Sequence, residues 1–280
     1  MLFVWAGWIV ATRDQVGQVS PLDISIMRYG VPTVLLAPIW MRKGLVPQGE
    51  SLAVMLVMAA GWGGGFVFMT SKGLETIPAA LFGPMVPATL PLRGAIWDFF
   101  VEKARFTGER VAGLLLIALS IGLIVGPAAA RGDQGFFQGA PYLLAAAAGW
   151  SAFTIAYRRS NLTGMEATAY VCLYSAPFLA AAAFWFGTDL PGMSENMIVW
   201  LILVQGLLSG IGAVASFGYA VRHLGIPRTS SFTSLVPMGA ALGAWAVLGE
   251  EPAPLDWASV GCACLGVALV NGAASGLLRR

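Results

Sequence analysis

Charge is scarce in this 280-residue chain: Lys, Arg, Asp and Glu together make up 11% of it, where a soluble domain carries about 25%. That deficit excludes a solvated surface over most of the length, and a mean hydropathy of +0.76 agrees. Histidine is nearly missing, His223 being the single example, so a histidine metal cluster has nothing to be built from, and a His-carboxylate catalytic pair would have to use that one loop residue. Cysteine is sparse as well. Cys172, Cys262 and Cys264 all fall in apolar stretches, and the last two stand two positions apart, on different sides of a helix. They read as small packing residues, not as a metal site or a disulfide. A net charge of +2 gives nucleic acid nothing to grip. We expect no cleavable leader and no lipid anchor.

Apolar runs are what the chain has in quantity. They cover 2–12, 22–41, 52–71, 76–98, 109–127, 139–157, 166–186, 197–221, 226–248 and 255–275, most of them long enough to cross a hydrocarbon core of about 30 Å as helix. The connections between them are short and rich in Gly, Pro or charge. The expectation is an all-α integral membrane protein of ten transmembrane helices, with the lipid bilayer as its main partner and no separate soluble domain.

The chain also repeats itself. Trp5, Arg13, Pro32 and Trp40 are matched 145 positions later by Trp150, Arg158, Pro177 and Trp185. The offset drifts to 150, where Lys72, Leu74, Phe82, Val86 and Pro87 face Arg222, Leu224, Phe232, Val236 and Pro237, and settles at 148 for Glu102 and Gly113 against Glu250 and Gly261. Paired repeats in an apolar chain point to a transporter with a midplane site. Residues 1–130 form the first repeat and 137–276 the second. The first run is short beside its partner, which suggests a helix that starts upstream of Met1.

Direction follows from the loop cations. With the N-terminus cytoplasmic, the inner side holds eleven of them: Arg42, Lys43, Lys103, Arg105, Arg110, Arg158, Arg159, Arg222, Arg228, Arg279 and Arg280. The outer side holds three, Arg13, Lys72 and Arg131. Five spans per repeat is odd, so the two repeats insert upside down relative to one another, the inverted arrangement associated with alternating access.

The segments VWAGWIVATR, IMRYG and SSFTSLVPMGAALGAWAVLGEEPAPLDWASVGCACLGVAL resemble the EamA branch of the drug/metabolite transporter superfamily. The corresponding first-half stretch is similar but departs at Val101-Glu102, where the second half has Gly249-Glu250. The resemblance covers the whole chain. It implies a central cavity lined mainly by spans one, three, four, six, eight and nine, with spans two, five, seven and ten peripheral.

On those presumed cavity helices, Trp5, Trp8, Trp62, Phe66, Phe82, Trp150, Phe153, Tyr157, Tyr219 and Phe232 are the aromatic candidates for substrate contact, since organic solutes bind in apolar, aromatic pockets. Orienting polar groups would come from Thr70, Ser71, Thr154, Gln205, Ser209, Ser216, Ser231, Thr233 and Ser234. Any single aromatic more often faces lipid or the interface than a ligand, a discount that the register mates Trp5 and Trp150 partly escape. Pro87 and Pro237 would kink the fourth and ninth spans, as hinges or as static bends. The glycines of GWGGG and GLLSGIGAVAS would let helices pack closely or flex. Arg28 and Arg93 are the two cations inside spans; each either snorkels to an interface or contacts an anionic group of the substrate. Every carboxylate lies in a loop or near a helix end. A proton-coupled carrier usually has one within the membrane, so facilitated export or exchange is favoured. Glu102 and Glu250 would cap helix ends, pair with nearby cations, or form a gate salt bridge.

The expected function is therefore an inner-membrane exporter of small organic metabolites, amino acids or related compounds, with both termini cytoplasmic and no cofactor or metal. A homo-oligomer is left open. The rival readings are a membrane-embedded enzyme, a channel, or a carrier for sugars, nucleosides or drugs. The first lacks a catalytic constellation, the second a filter motif. Phosphorylated substrates would call for several cavity cations, and only Arg28 and Arg93 are on offer.

Overall fold

The computed structural model describes residues 1–101, 103, 105–224, 229 and 232–272. Glu102, Ser231, Arg228, Arg279 and Arg280, all named above, lie outside the described residues. Among those described, every regular element is helical. The order is α1 (Leu2–Gln15), α2 (Pro21–Leu35), α3 (Ala37–Lys43), α4 (Leu52–Trp62), α5 (Gly64–Leu74), α6 (Ala79–Met85) and α7 (Leu90–Phe100). Then come α8 (Gly108–Arg131), α9 (Gln134–Arg158), α10 (Gly164–Phe186), α11 (Glu195–Leu201), α12 (Ala213–Leu224), α13 (Val236–Gly243) and α14 (Pro254–Val270). Among the described residues, four helices are long and apolar enough to cross a membrane, or five if α2 and α3 count as one bent span.

Sequence chemistry sets the boundaries. Ser20 caps α2 by accepting from the Asp23 amide at 3.1 Å, with Pro21 in the first turn. Asp133 caps α9 through the Phe136 amide at 3.0 Å, and Thr163 and Glu166 close a reciprocal capping box on α10. Gly132, at φ 60°, ends α8 in the left-handed region that favours glycine.

Several spans that read as continuous are broken. Between α2 and α3 the chain turns by 57° at Leu36, just before Pro38. The fourth run divides into α6, a 3₁₀ turn at Pro87–Thr89, and α7. Pro87 and Pro237 thus stand at or next to the first position of a helical segment instead of inside one. A missing N–H costs nothing there, because that amide has no intrahelical acceptor anyway. Gly63 separates α4 from α5, and the Gly64 amide donates to Ser175 Oγ at 3.3 Å across the bundle. Ile202–Gly212 is π-helical and links α11 to α12, and Ala244–Leu248 extends α13 in the same way.

Two close helix contacts rest on glycine. At Gly61 and Gly149 the backbones of α4 and α9 meet so tightly that a Cβ on Gly61 would lie 2.8 Å from the Phe153 amide nitrogen. Helices α8 and α14 approach through Gly113 and Gly266, and Ser120 and Ser259 exchange hydrogen bonds between them at 2.8–2.9 Å. Phe184, Trp185 and Phe186 lie bare at the end of α10, the pattern of a lipid-facing surface.

An aromatic cavity at the centre of the bundle

Helices α1, α2, α4, α6, α9, α10 and the Ile202–Gly212 segment converge on one cavity. Trp5, Trp8, Trp62, Phe82, Trp150, Arg28 and Pro87, all candidates from the sequence, line it. Trp62 is the hinge of the aromatic wall, its ring 4.3 Å from Phe66 and 4.4 Å from Trp150. Trp5 completes that wall, 6.2 Å from Trp150 and 6.0 Å from Phe217. Trp8 meets the edge of Phe82 at 6.0 Å. The paired residues Trp5 and Trp150 are therefore neighbours in space. Phe66 packs behind the wall and is buried.

The polar side of the cavity is sparse and mostly fixed. Trp8 Nε1 donates to Gln205 Oε1 at 3.0 Å, and Gln205 Nε2 donates to Thr12 Oγ1 at 3.2 Å. Tyr29 donates its hydroxyl to the Trp62 carbonyl. The Arg28 guanidinium lies over the Trp8 ring at 4.5 Å. Arg28 is 6% exposed and takes part in no ion pair among the described residues. Its Nη1, Trp5 Nε1 and Ser209 Oγ are buried without a hydrogen-bond partner among the described residues, and all three residues line the cavity.

Other candidates lie elsewhere. Thr154 Oγ1 and Ser216 Oγ are turned back onto the carbonyls of Trp150 and Ala213, at 2.8 and 3.0 Å. Tyr157 stacks on Phe153 at 5.7 Å, outside the lining. Tyr219 is exposed beside His223. Arg93 bonds Thr89 Oγ1 at 2.8 Å and does not reach the cavity. Ser234 is buried away from the lining, and Pro237 packs against Gly83 of α6.

The expectation that spans two and seven are peripheral is corrected. Arg28 and Tyr29 of α2, and Thr168, Val171 and Cys172 of α10, line the cavity. The cause is local: a Cβ on Gly206 would sit 2.7 Å from Val31 and one on Gly210 2.7 Å from Pro32, so the small residues of the π-helical segment let α2 press inward. Tyr29 and Cys172 were missed; adjacency to Arg28 was the available signal for the first, and nothing in the sequence singled out the second.

Beyond the cavity, two groups of helix ends are tied. At one, Arg13 Nε meets Glu250 Oε1 at 2.6 Å, Arg13 Nη1 donates to the carbonyls of Leu74 and Glu75, and the Ala79 amide donates to Glu250 Oε2 at 3.0 Å. Glu250 thereby caps α6 and pairs with a cation from the far end of the chain. At the other, Lys43 pairs with Glu166, and Tyr170 and Tyr174 donate to the carbonyls of Gly44 and Leu45 at 2.8 and 2.9 Å.

Apolar helices gathered around an aromatic cavity with few polar groups define a membrane transporter of small solutes. The chain belongs to the EamA-like transporter family, whose profile matches residues 1–126 and again 137–272, and so to the drug/metabolite transporter superfamily. It is 26% identical over 277 residues to a protein of Streptantibioticus cattleyicolor named probable terminal-alkyne amino-acid exporter, covering 95% of this chain and 89% of that one. It is 22% identical to the uncharacterized transporter YoaV of Bacillus subtilis, covering 89% of this chain and 86% of the other. A solved crystal structure shares the fold, with a TM-score of 0.61 at 19% identity, over 98% of this chain and 94% of its own. Family and relatives alike carry the names of transporters.

Proposed function

We propose that the protein is an inner-membrane exporter of small organic metabolites of the amino-acid class, working by alternating access between two inverted five-span repeats, residues 1–130 and 137–276. The observation that carries this reading is the aromatic cavity, to which both halves contribute and in which the register mates Trp5 and Trp150 stand side by side. The name of the Streptantibioticus relative supports the amino-acid class. Loop cations favour cytoplasmic termini, and in that orientation the Arg13–Glu250 network closes the outer side. The enclosed space is about 70 Å3, well below the roughly 300–1,000 Å3 of pockets that take drug-sized ligands, so loading requires the helices to part. Trp5, Trp8, Trp62, Phe82 and Trp150 form the substrate wall, backed by Phe66, with Pro87 and Pro237 as pivots where the helices already break.

Counterflow in proteoliposomes tests this. Saturable exchange of an L-amino acid, lost in Trp5→Ala and Trp150→Ala, is the expected result. Non-saturating flux would indicate a channel, product formation without movement an enzyme, and unchanged exchange in both variants would refute the site.

A further inference from the structure

The central cavity holds a cation with no counter-charge among the described residues. Arg28 is 6% exposed, within an apolar bundle. Asp23, five positions earlier on the same helix, stands about 7.5 Å away along the axis by helical rise. Its carboxylate is engaged at the helix start by the Ser20 and Thr188 hydroxyls and the Asp189 amide. No Asp or Glu among the described residues lines the cavity. Stacking on Trp8 offsets part of the desolvation, yet an ionised group inside a membrane protein ordinarily finds an opposite charge or marks a solute path.

Two more observations show what would answer it. Trp5 Nε1 and Ser209 Oγ, like Arg28 Nη1, are buried without a partner among the described residues, and both residues line the same cavity. A ring N–H and a guanidinium N–H only donate, and a hydroxyl can donate. Three unsatisfied groups that can all donate, one of them cationic, are complementary to a carboxylate, which only accepts. For an ammonium group the described residues of the cavity offer ring faces and no acid.

We propose that Arg28, Trp5 and Ser209 form an anion subsite that takes the carboxylate of a small organic acid with an apolar body, holding it by that carboxylate and not by an amine. The body lies against Trp62, Trp150 and Phe82. This deepens the exporter reading and rests on it for the route by which the ligand enters. It also widens the substrate class: amino acids qualify through their carboxylate, and so do apolar monocarboxylates without an amino group.

Binding and flux separate the two readings. Purified protein in nanodiscs is titrated calorimetrically with L-norleucine, hexanoate and L-norleucinamide, while L-norleucine counterflow is measured separately in proteoliposomes. The two acids are expected to bind within about threefold of each other, and the amide at least about tenfold more weakly. Arg28→Gln should weaken both acids by about tenfold or more and erase the preference over the amide. Because Arg28 is packed in the bundle, the Trp5→Phe/Ser209→Ala double variant provides a second route. It removes two donors while keeping shape and charge, and should lower the acid-to-amide ratio by about tenfold. Equal binding of the amide, acid binding unchanged in a folded Arg28→Gln protein or in the double variant, or no binding of either acid would each overturn the subsite. Acid binding with that preference but no norleucine counterflow would sink the exporter reading and leave the subsite standing.

Discussion

Glu250 offers the sharpest test of the closed end. Its carboxylate accepts from Arg13 Nε at 2.6 Å and from the Ala79 amide at 3.0 Å. Glu250→Gln keeps an acceptor for Ala79 and removes only the charge, so the ion pair is isolated from the helix cap. A charge-assisted bond contributes about 1.5–3 kcal/mol when shielded and an exposed pair about 0.2–1 kcal/mol. The side chains of Arg13 and Glu250 are 25% and 20% exposed, which places this pair between those limits, at about 1–2 kcal/mol. If the network holds the outer side shut, its loss shifts the closed-to-open ratio by about 5–30-fold. Cys172 lines the cavity and is buried, so it serves as the reporter once Cys262 and Cys264 are replaced by Ala. Its alkylation by a membrane-impermeant thiol reagent, added outside right-side-out vesicles, should speed up by that factor in Glu250→Gln. Arg158→Gln is the control: Arg158 is the register mate of Arg13, is exposed, and makes no ion pair among the described residues, so its loss should leave the rate alone. Labelling of Glu250→Gln within twofold of the parent would refute the gate.

The packing makes further commitments. Trp150→Ala removes the ring that contacts both Trp5 and Trp62 and should abolish saturable counterflow while the protein still runs as a single species in size-exclusion chromatography. Gly61→Ala forces a methyl to within 2.8 Å of the Phe153 amide nitrogen, against backbone that cannot step aside; thermal unfolding in detergent should show a loss of about 1–3 kcal/mol. Ser120→Ala removes one of the reciprocal hydroxyl bonds to Ser259, and the same assay should show only about 0.6 kcal/mol, the usual size of such a bond in a membrane bundle.

What could be read beforehand was whatever depends on composition and register. The apolar runs follow from composition and the duplication from register, whereas the placing of Trp5, Trp8, Trp62 and Trp150 on presumed cavity helices came from the family resemblance. Arg28 was visible as an intramembrane cation, and Glu250 as a helix-end acid with a repeat mate. Three things were hidden because they arise from contact between distant segments. The inward position of α2 depends on Gly206 and Gly210 lying opposite Val31 and Pro32. The partner of Glu250 is 237 positions away. Ser216 and Tyr219 were candidates because the resemblance puts the eighth span at the cavity, but they follow a π-helical stretch at Ile202–Gly212. Bonding from i to i+5 there rotates every later side chain away from its α-helical face.

The same cavity constrains the kinetics of exchange. A carrier that alternates must pass through a state closed on both sides, where the central space is smallest and driest. In that state the Arg28 guanidinium, unpaired among the described residues, carries its full desolvation penalty, which Trp8 relieves only in part. A bound carboxylate supplies the missing opposite charge and the acceptor that Nη1, Trp5 Nε1 and Ser209 Oγ lack, and so lowers the closed state more for the loaded carrier than for the empty one. Loaded carriers should therefore reorient faster, since a ligand shifts an equilibrium only by its differential affinity for the states concerned. The expected outcome is trans-acceleration: efflux of labelled L-norleucine from proteoliposomes rises about fivefold or more when unlabelled L-norleucine is placed outside, a difference of about 1 kcal/mol between the two barriers. Arg28→Gln removes the charge that penalises the empty state, so it should bring net efflux and exchange to within about twofold of each other. Equal rates in the parent protein would show that the cation does not oppose closure, and that the empty carrier crosses as readily as the loaded one.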